Sequence, residues 1–269
     1  MYLTYWGFTE KPFENTPDPR FLFKSPRHDE ALMRMVYCIK ERKGAAILTG
    51  EYGSGKTVLT RVLLKELMRE EAKYKVALLV NPSFSSEDFL REIIFQLENK
   101  FSENGSKLNL IHSLNDILYR SVKENKNVVV IVDEAQAIQN NDMFEELRLL
   151  LNFQMNDRFL LTLLLVGQPE LKVKIDTIPQ LKQRLAIGYH LSGLDKEEVL
   201  SYINYRCSVA GRADELFSKE AVQLIADHTS GIPRKINTIC ELSLLQGMFE
   251  NKTIIDANIV EKILGEVYV

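Results

Sequence analysis

Residues 45–58 read AAILTG, EYGSGKT, V. This stretch decides the fold, because it reads as a short buried strand, a glycine-rich turn and the start of a helix. Gly50, Gly55, Lys56 and Thr57 fill the pattern G-x-x-x-x-G-K-[ST], and Gly53 adds a glycine inside it. Glycines let the backbone wind tightly enough for successive N–H groups to face phosphate oxygens. The following helix adds its positive amino end. Lys56 supplies a mobile charge for the β- and γ-phosphates, and the Thr57 hydroxyl suits Mg²⁺. The expected nucleotide cradle is therefore Gly50, Glu51, Tyr52, Gly53, Ser54, Gly55, Lys56, Thr57 and Val58. A chance glycine-rich loop is the competing reading. The context opposes it: AAILT suits a central strand, and Val58, Leu59, Val62, Leu63 and Leu67 recur at helical spacing.

Further apolar runs repeat the strand half of this pattern. VALLV (76–80), VVVIV (128–132) and LLTLLLV (160–166) alternate with helix-periodic segments. Continuous apolar strands separated by helices mark a parallel sheet covered on both faces, an α/β fold with right-handed crossovers. Ser25 reads as a helix cap with Pro26 in the first turn, and Ser85 or Ser86 caps another helix. FSENGSK (101–107) reads as a loop. After Gly193 the pattern turns all-helical: Asp195 with Glu198 resembles a capping box, Ser218 and Asp256 open further helices, and Gly231-Ile232-Pro233 breaks the chain. The expected division is a nucleotide-binding domain over 1–193 and a helical lid over 194–269. Residues 1–24 hold seven aromatics and three prolines, which exclude a regular helix and predict a strap lying in a groove, contributing to the core, the adenine pocket or both.

Catalytic candidates follow from position. Asp133 ends VVVIV, at the carboxyl edge where open α/β sheets bind ligands, and is placed to hold Mg²⁺ beside the phosphate-loop strand. Glu134 is placed to polarise a water; the bland alternative is an Asp-Glu pair capping the next helix. Gln168 ends LLTLLLV and reaches a γ-phosphate if that strand neighbours the Asp133 strand; otherwise it is a turn residue. Arg184 is either a finger inserted into a neighbouring subunit's site or a surface ion pair. Arg234, in GIPRKIN, starts a lid helix and can approach the phosphates. The four histidines share no metal-ligand spacing, and only His28 is a candidate for the base pocket.

Composition bounds the rest. The chain has 269 residues, is 45% hydrophobic and carries a net charge of −3, so bulk charge favours neither nucleic acid nor membrane. Arg61, Lys65, Lys172, Lys174 and Lys182 are possible phosphate contacts but form no basic-aromatic cluster. Cys38, Cys207 and Cys240 are scattered and odd in number, against a disulfide framework or zinc site and in keeping with a reducing compartment. No signal peptide is expected, and no apolar run approaches the ~20 residues that span a bilayer. The expectation is a cytoplasmic chain without direct membrane insertion, membrane-associated if a partner supplies the link.

With these residues in place, the chain resembles the AAA+ ATPases, and more closely their general secretion pathway protein A, or ExeA-like, branch. The stretches carrying the resemblance are YWGFTEKPFENTPDPRFLFKSPRHDEAL, LTGEYGSGKT, VDEAQ, LLVGQPEL, QRLAIGYHLSGL and SGIPRKIN. The resemblance implies ATP and Mg²⁺, hydrolysis, a nucleotide-dependent ring-like homo-oligomer, and a protein partner in a secretion or type IV pilus system. Secretion-type relatives often carry a membrane helix and a peptidoglycan-binding domain after the lid, so this chain reads as a part of such a protein or a stand-alone form. Gln168 stands where Asn, Ser or Thr is commoner in AAA+ proteins at large. DNA-transposition ATPases of the TniB or TnsC kind are similar in the core, which keeps DNA open as a partner, and a slow ATP-dependent switch is a third reading.

Overall fold

The structure is a computed structural model that describes residues 2–80, 82, 83, 85–99, 106–139 and 141–266. Of the expected loop at 101–107, residues 101–105 lie outside the described residues. In chain order the first elements are α1 (Tyr2–Trp6), a 3-10 turn (Pro19–Phe21), α2 (Pro26–Lys40), β1 (Ala45–Gly50), α3 (Lys56–Arg69) and β2 (Tyr74–Leu79). Then come α4 (Ser86–Glu98), α5 (Lys107–Lys123), β3 (Asn127–Val132), α6 (Asn141–Leu150) and β4 (Leu161–Gly167). The remainder is α7 (Pro169–Asp176), α8 (Pro179–Lys182), β5 (Leu185–Leu191), α9 (Lys196–Val209), α10 (Lys219–Thr229), α11 (Pro233–Phe249) and α12 (Ala257–Glu266). Contacts divide them into two compact units, residues 29–50 with 59–191, and residues 1–28 with 51–58 and 192–269.

The first unit is built on a five-stranded parallel sheet in the order β2-β3-β4-β1-β5. β4 thus lies between β1 and β3. The Asp133 strand is not the immediate neighbour of the phosphate-loop strand, as the sequence suggested, but one strand removed, and the Gln168 strand fills the gap. Side chains alternate faces along each strand. Val128, Val130, Val132, Leu161, Leu163 and Leu165 join a core with α4, α5 and α6, and the opposite set, Val129, Ile131, Leu164 and Val166, is buried as well. Both faces are covered, which is why these strands read as unbroken apolar runs. β5 escaped the sequence reading: its burial alternates, it sits at the sheet edge, and Gly188 and His190 interrupt its apolar character.

The second unit is helical. Val199, Ile203, Val222, Ile225, Ile236, Ile239, Ile259 and Val260 from α9–α12 form its core. Trp6, Phe8, Phe13 and Phe21 join them, so the strap assigned by sequence to the nucleotide-binding domain shares the core of the helices instead. Residues 2–6 are helical, because the prolines begin only at Pro12 and leave the first turns free. Arg206 fixes the strap. Its guanidinium donates to the carbonyls of Pro12 (2.5 Å) and Glu14 (2.8 Å) and lies 4.5 Å from the Phe21 ring centre. The Trp6 indole donates to the Leu244 carbonyl at 2.8 Å. Cys207 and Cys240 are buried here, and burial pushes the Cys207 thiol up to about 12, the behaviour of a core residue rather than a reactive one. Among the described residues, no helix is long and apolar enough to cross a membrane.

Candidate functional site

The phosphate loop starts where β1 ends, at the carboxyl edge of the sheet. Gly53 (φ +81°) and Gly55 (φ +100°) take the left-handed conformation that L side chains resist. The Ser54 N–H closes a turn on the Glu51 carbonyl at 3.1 Å. Lys56, the first residue of α3, is only 5% exposed, and its ammonium donates to the Glu51 carbonyl at 2.9 Å. The Ser54 hydroxyl is buried with no partner. A cation, tightly wound glycines and an unsatisfied buried hydroxyl in one loop are the donor set a polyphosphate satisfies.

Arg234 stands beside this loop in the helical unit. Pro233 opens α11 and Arg234 follows in its first turn. The Arg234 backbone N–H donates to the Gly53 carbonyl at 3.2 Å, and its guanidinium stacks 4.5 Å from the Tyr52 ring centre. A Cβ at Gly53 would strike the Arg234 side chain, so the glycine serves this approach as well as the turn. A cleft of about 470 Å³ opens here, with Tyr52, Ile232, Arg234, Lys235 and Thr238 in its walls.

In the sheet unit the carboxyl edge carries a connected polar group. Asp133, 2% exposed, donates its N–H to the Leu79 carbonyl (2.8 Å) and accepts the Glu134 N–H on Oδ1 (2.9 Å). Glu134 has φ +52°, a left-handed conformation uncommon for a non-glycine residue and concentrated at functional sites. Its Oε2 accepts from Gln136 Nε2 at 2.6 Å, and Gln136 Oε1 in turn accepts the Gln168 N–H at 3.0 Å. A Cβ at Gly167 would lie 2.6 Å from Gln136 Oε1, so the glycine before Gln168 admits this amide. The β3–β4 pairing thus joins Asp133, Glu134 and Gln168, and Gln136 links the last two. Sequence reasoning passed over Gln136; its signal was the amide two residues beyond Glu134 in VDEAQ.

Arg184 is not part of this group. β5 runs parallel to β1 with Leu185 opposite Ala45 and Leu191 opposite Gly50. Arg184 therefore lies at the amino edge, roughly 20 Å along the strand direction from the carboxyl edge. Its guanidinium donates to the Leu151 carbonyl (2.9 Å) and to Asn152 Oδ1 (3.1 Å). Two of the cations considered as nucleic-acid contacts are engaged too. Lys174 donates to the carbonyls of Gln136 (2.6 Å) and Ile138 (2.8 Å), and Lys182 pairs with Asp176 at 2.7 Å. Among the described residues, no three His, Cys, Asp or Glu side chains group to hold a metal by themselves. Any cation at Thr57 or Asp133 would share its shell with water and phosphate oxygens, the usual habit of Mg²⁺.

Comparison with known proteins bears on the family and the fold. A family model described as "AAA domain" matches residues 39–175. The chain is 36% identical over 247 residues to General secretion pathway protein A of Aeromonas hydrophila, covering 91% of this chain and 44% of that protein. It thus spans less than half the length of that relative. Among solved structures, the Aeropyrum pernix ORC2 protein in its ADPNP–ADP complexes superposes with a TM-score of 0.65 at 18% identity, covering 96% of this chain and 71% of that one. Thermotoga maritima RuvB, described as a Holliday junction branch migration motor, gives 0.58 at 18% identity, covering 90% and 69%. At such identity these two structures speak for the fold alone.

Proposed function

The chain belongs to the AAA family of P-loop NTPases, in its ExeA-like branch, and from that premise we propose that it binds and hydrolyses ATP. We further propose that nucleotide drives its self-association, in support of an envelope secretion or type IV pilus machine. The observation that carries the ATP reading is the loop itself: two left-handed glycines, a buried lysine and an unsatisfied buried hydroxyl within four residues. Gly53–Val58 supply N–H groups to the phosphates, Lys56 neutralises the β- and γ-phosphate charge, and Arg234 adds a second cation. Thr57 and Asp133 would hold Mg²⁺, which offsets the charge developing on the phosphoryl group. Glu134 orients the attacking water, with its carboxylate aimed by the Gln136 amide. Gln168 serves the γ-phosphate or that same water.

The secretion link rests on the Aeromonas relative, of which this chain covers 44%. The oligomer and its protein partner are proposals on the same footing. Phosphate release and nucleotide binding test the enzyme reading together. Lys56→Ala should bind no ATP, whereas Glu134→Gln should bind it and release no phosphate. Turnover by Glu134→Gln at the wild-type rate would remove that residue from its role. Sedimentation tests association: the protein should form larger species with a non-hydrolysable ATP analogue than without it. An unchanged monomer at high concentration under both conditions defeats the oligomer.

A further inference from the structure

His28 lies against the phosphate loop in a way the ATP reading does not require. It is 4% exposed. Its Nδ1 lies 2.7 Å from the Ser25 hydroxyl, and its Nε2 lies 3.3 Å from the Ser54 carbonyl oxygen. A carbonyl oxygen can only accept, so Nε2 carries the proton in this contact. In the neutral ring Nδ1 is then an acceptor, and the Ser25 O–H donates to it. The Ser25 oxygen in turn accepts the His28 backbone N–H at 3.3 Å, the cap bond of α2. For the neutral ring the order of donors then runs from Ser25 through the imidazole to Ser54. The ring also occupies the space a side chain would need: a Cβ at Gly55 would sit 3.0 Å from His28 Nε2.

The consequence lies in the Ser54–Gly55 peptide. A trans peptide is planar, with its C=O and N–H pointing in opposite directions. Holding the Ser54 carbonyl toward His28 therefore turns the Gly55 N–H away from the imidazole. We infer that His28, oriented by Ser25, is a positioning residue that aims the Gly55 N–H at the β-phosphate of a bound nucleotide. The inference rests on the nucleotide reading of the loop and adds a residue to it. His28 acts through the backbone and touches no phosphate. A side-chain amide can replace it: Gln offers an N–H at comparable reach, whereas Ala offers nothing and leaves the Ser54 carbonyl buried without its donor.

Calorimetric titration of the full chain with ADP and with AMP separates this role from a general contribution to folding, because only ADP carries a β-phosphate. The ratio of the two dissociation constants is insensitive to a uniform loss of folded protein. In His28→Ala the preference for ADP over AMP should shrink about tenfold or more, and in His28→Gln it should stay within about threefold of wild type. Ser25→Ala, which removes the hydroxyl that selects the tautomer, should move the ratio in the same direction by less. An unchanged ratio in His28→Ala, or an equal loss for both ligands, overturns the inference and leaves the nucleotide reading standing. Failure of the wild-type protein to bind ADP overturns both. Ring ¹⁵N shifts of His28 at neutral pH give a readout without nucleotide: a proton on Nδ1 instead of Nε2 also overturns the inference.

Discussion

The sheet unit and the helical unit are assembled by different rules. The sheet unit's core is mainly aliphatic, with Phe89 and Phe144 its buried aromatics, and much of it comes from short strand runs such as Val128–Val132 and Leu161–Val166. The helical unit's core is partly aromatic, and three separate stretches of chain contribute to the unit. Phe13 meets Phe217 edge-on at 6.0 Å across about two hundred residues of sequence. Burial within it pushes the Tyr202 phenol up, while Arg206, under 6% exposed, is satisfied by strap carbonyls rather than by a carboxylate. The proposed chemistry divides along the same line. The residues proposed for phosphate binding, Lys56 and Arg234, belong to the helical unit, and those proposed for water activation, Asp133, Glu134 and Gln168, belong to the sheet unit. Local runs build the group proposed for hydrolysis, and distant segments build the group proposed for binding.

Arg184 tests that division most severely. It belongs to the sheet unit yet lies at the edge away from Asp133, and its guanidinium is held by Leu151 and Asn152 of its own chain. If it completes a neighbour's site, two inactive proteins should rescue each other. Arg184→Ala keeps its own Lys56, Asp133 and Glu134, and Glu134→Gln keeps its arginine. Random mixing creates an Arg184-donating, Glu134-bearing junction at roughly one interface in four, and an arginine finger contributes about 10³–10⁵ in rate. Phosphate release by the mixture should rise far above either protein alone and fall on dilution. With subunit exchange shown by energy transfer between labelled chains, a mixture that stays inactive assigns Arg184 to its own chain.

Most of the sheet unit was legible for a physical reason. Strands buried on both faces must be apolar throughout, and a chemical group at a strand's end is placed by the strand itself. Strand order was less legible, because parallel pairing leaves no mark on local sequence; the position of β4 between β1 and β3 had to come from the structure. β5 was lost because an edge strand need not be apolar. The strap was misplaced because its aromatics announced burial without saying against what. Only the distant partners Leu244, Ala210 and Arg206 decide that. Gln136 was passed over, and His28 was considered only for the base pocket, because each acts through hydrogen bonds to segments distant in sequence or to backbone, which no spacing encodes.

Truncating the strap gives the next largest effect. Phe13 is fully buried, so Phe13→Ala should cost about 3–5 kcal/mol, and Leu163→Ala, equally buried in the sheet unit, about 2–5 kcal/mol. The informative quantity is where each loss appears. Hydrogen exchange should show Phe13→Ala exposing amides of α9–α12, and Leu163→Ala exposing those of β3 and β4. A Phe13→Ala protein with unchanged protection in α9–α12 would return the strap to the status of a loose cover.

The helix caps give the smallest effect and the finest comparison. At the start of α9, Asp195 accepts the Glu198 N–H at 2.9 Å while the Glu198 carboxylate accepts the Asp195 N–H at 2.8 Å, a complete reciprocal box. At the start of α4, Ser85 accepts the Asp88 N–H at 3.1 Å, with its hydroxyl donating to Asp88 Oδ2 at 2.7 Å. Alanine at either position removes one acceptor from the first turn and costs about 0.5–2 kcal/mol. Asp195→Ala should lie toward the upper end, because it also removes a negative charge from the amino end of a helix. That charge is exposed, so its part of the loss should shrink in high salt, whereas the loss in Ser85→Ala should not change with salt. Chemical denaturation of both variants at low and high salt measures the difference. Equal losses with equal salt dependence would show that the box at Asp195 adds nothing beyond a single accepted hydrogen bond.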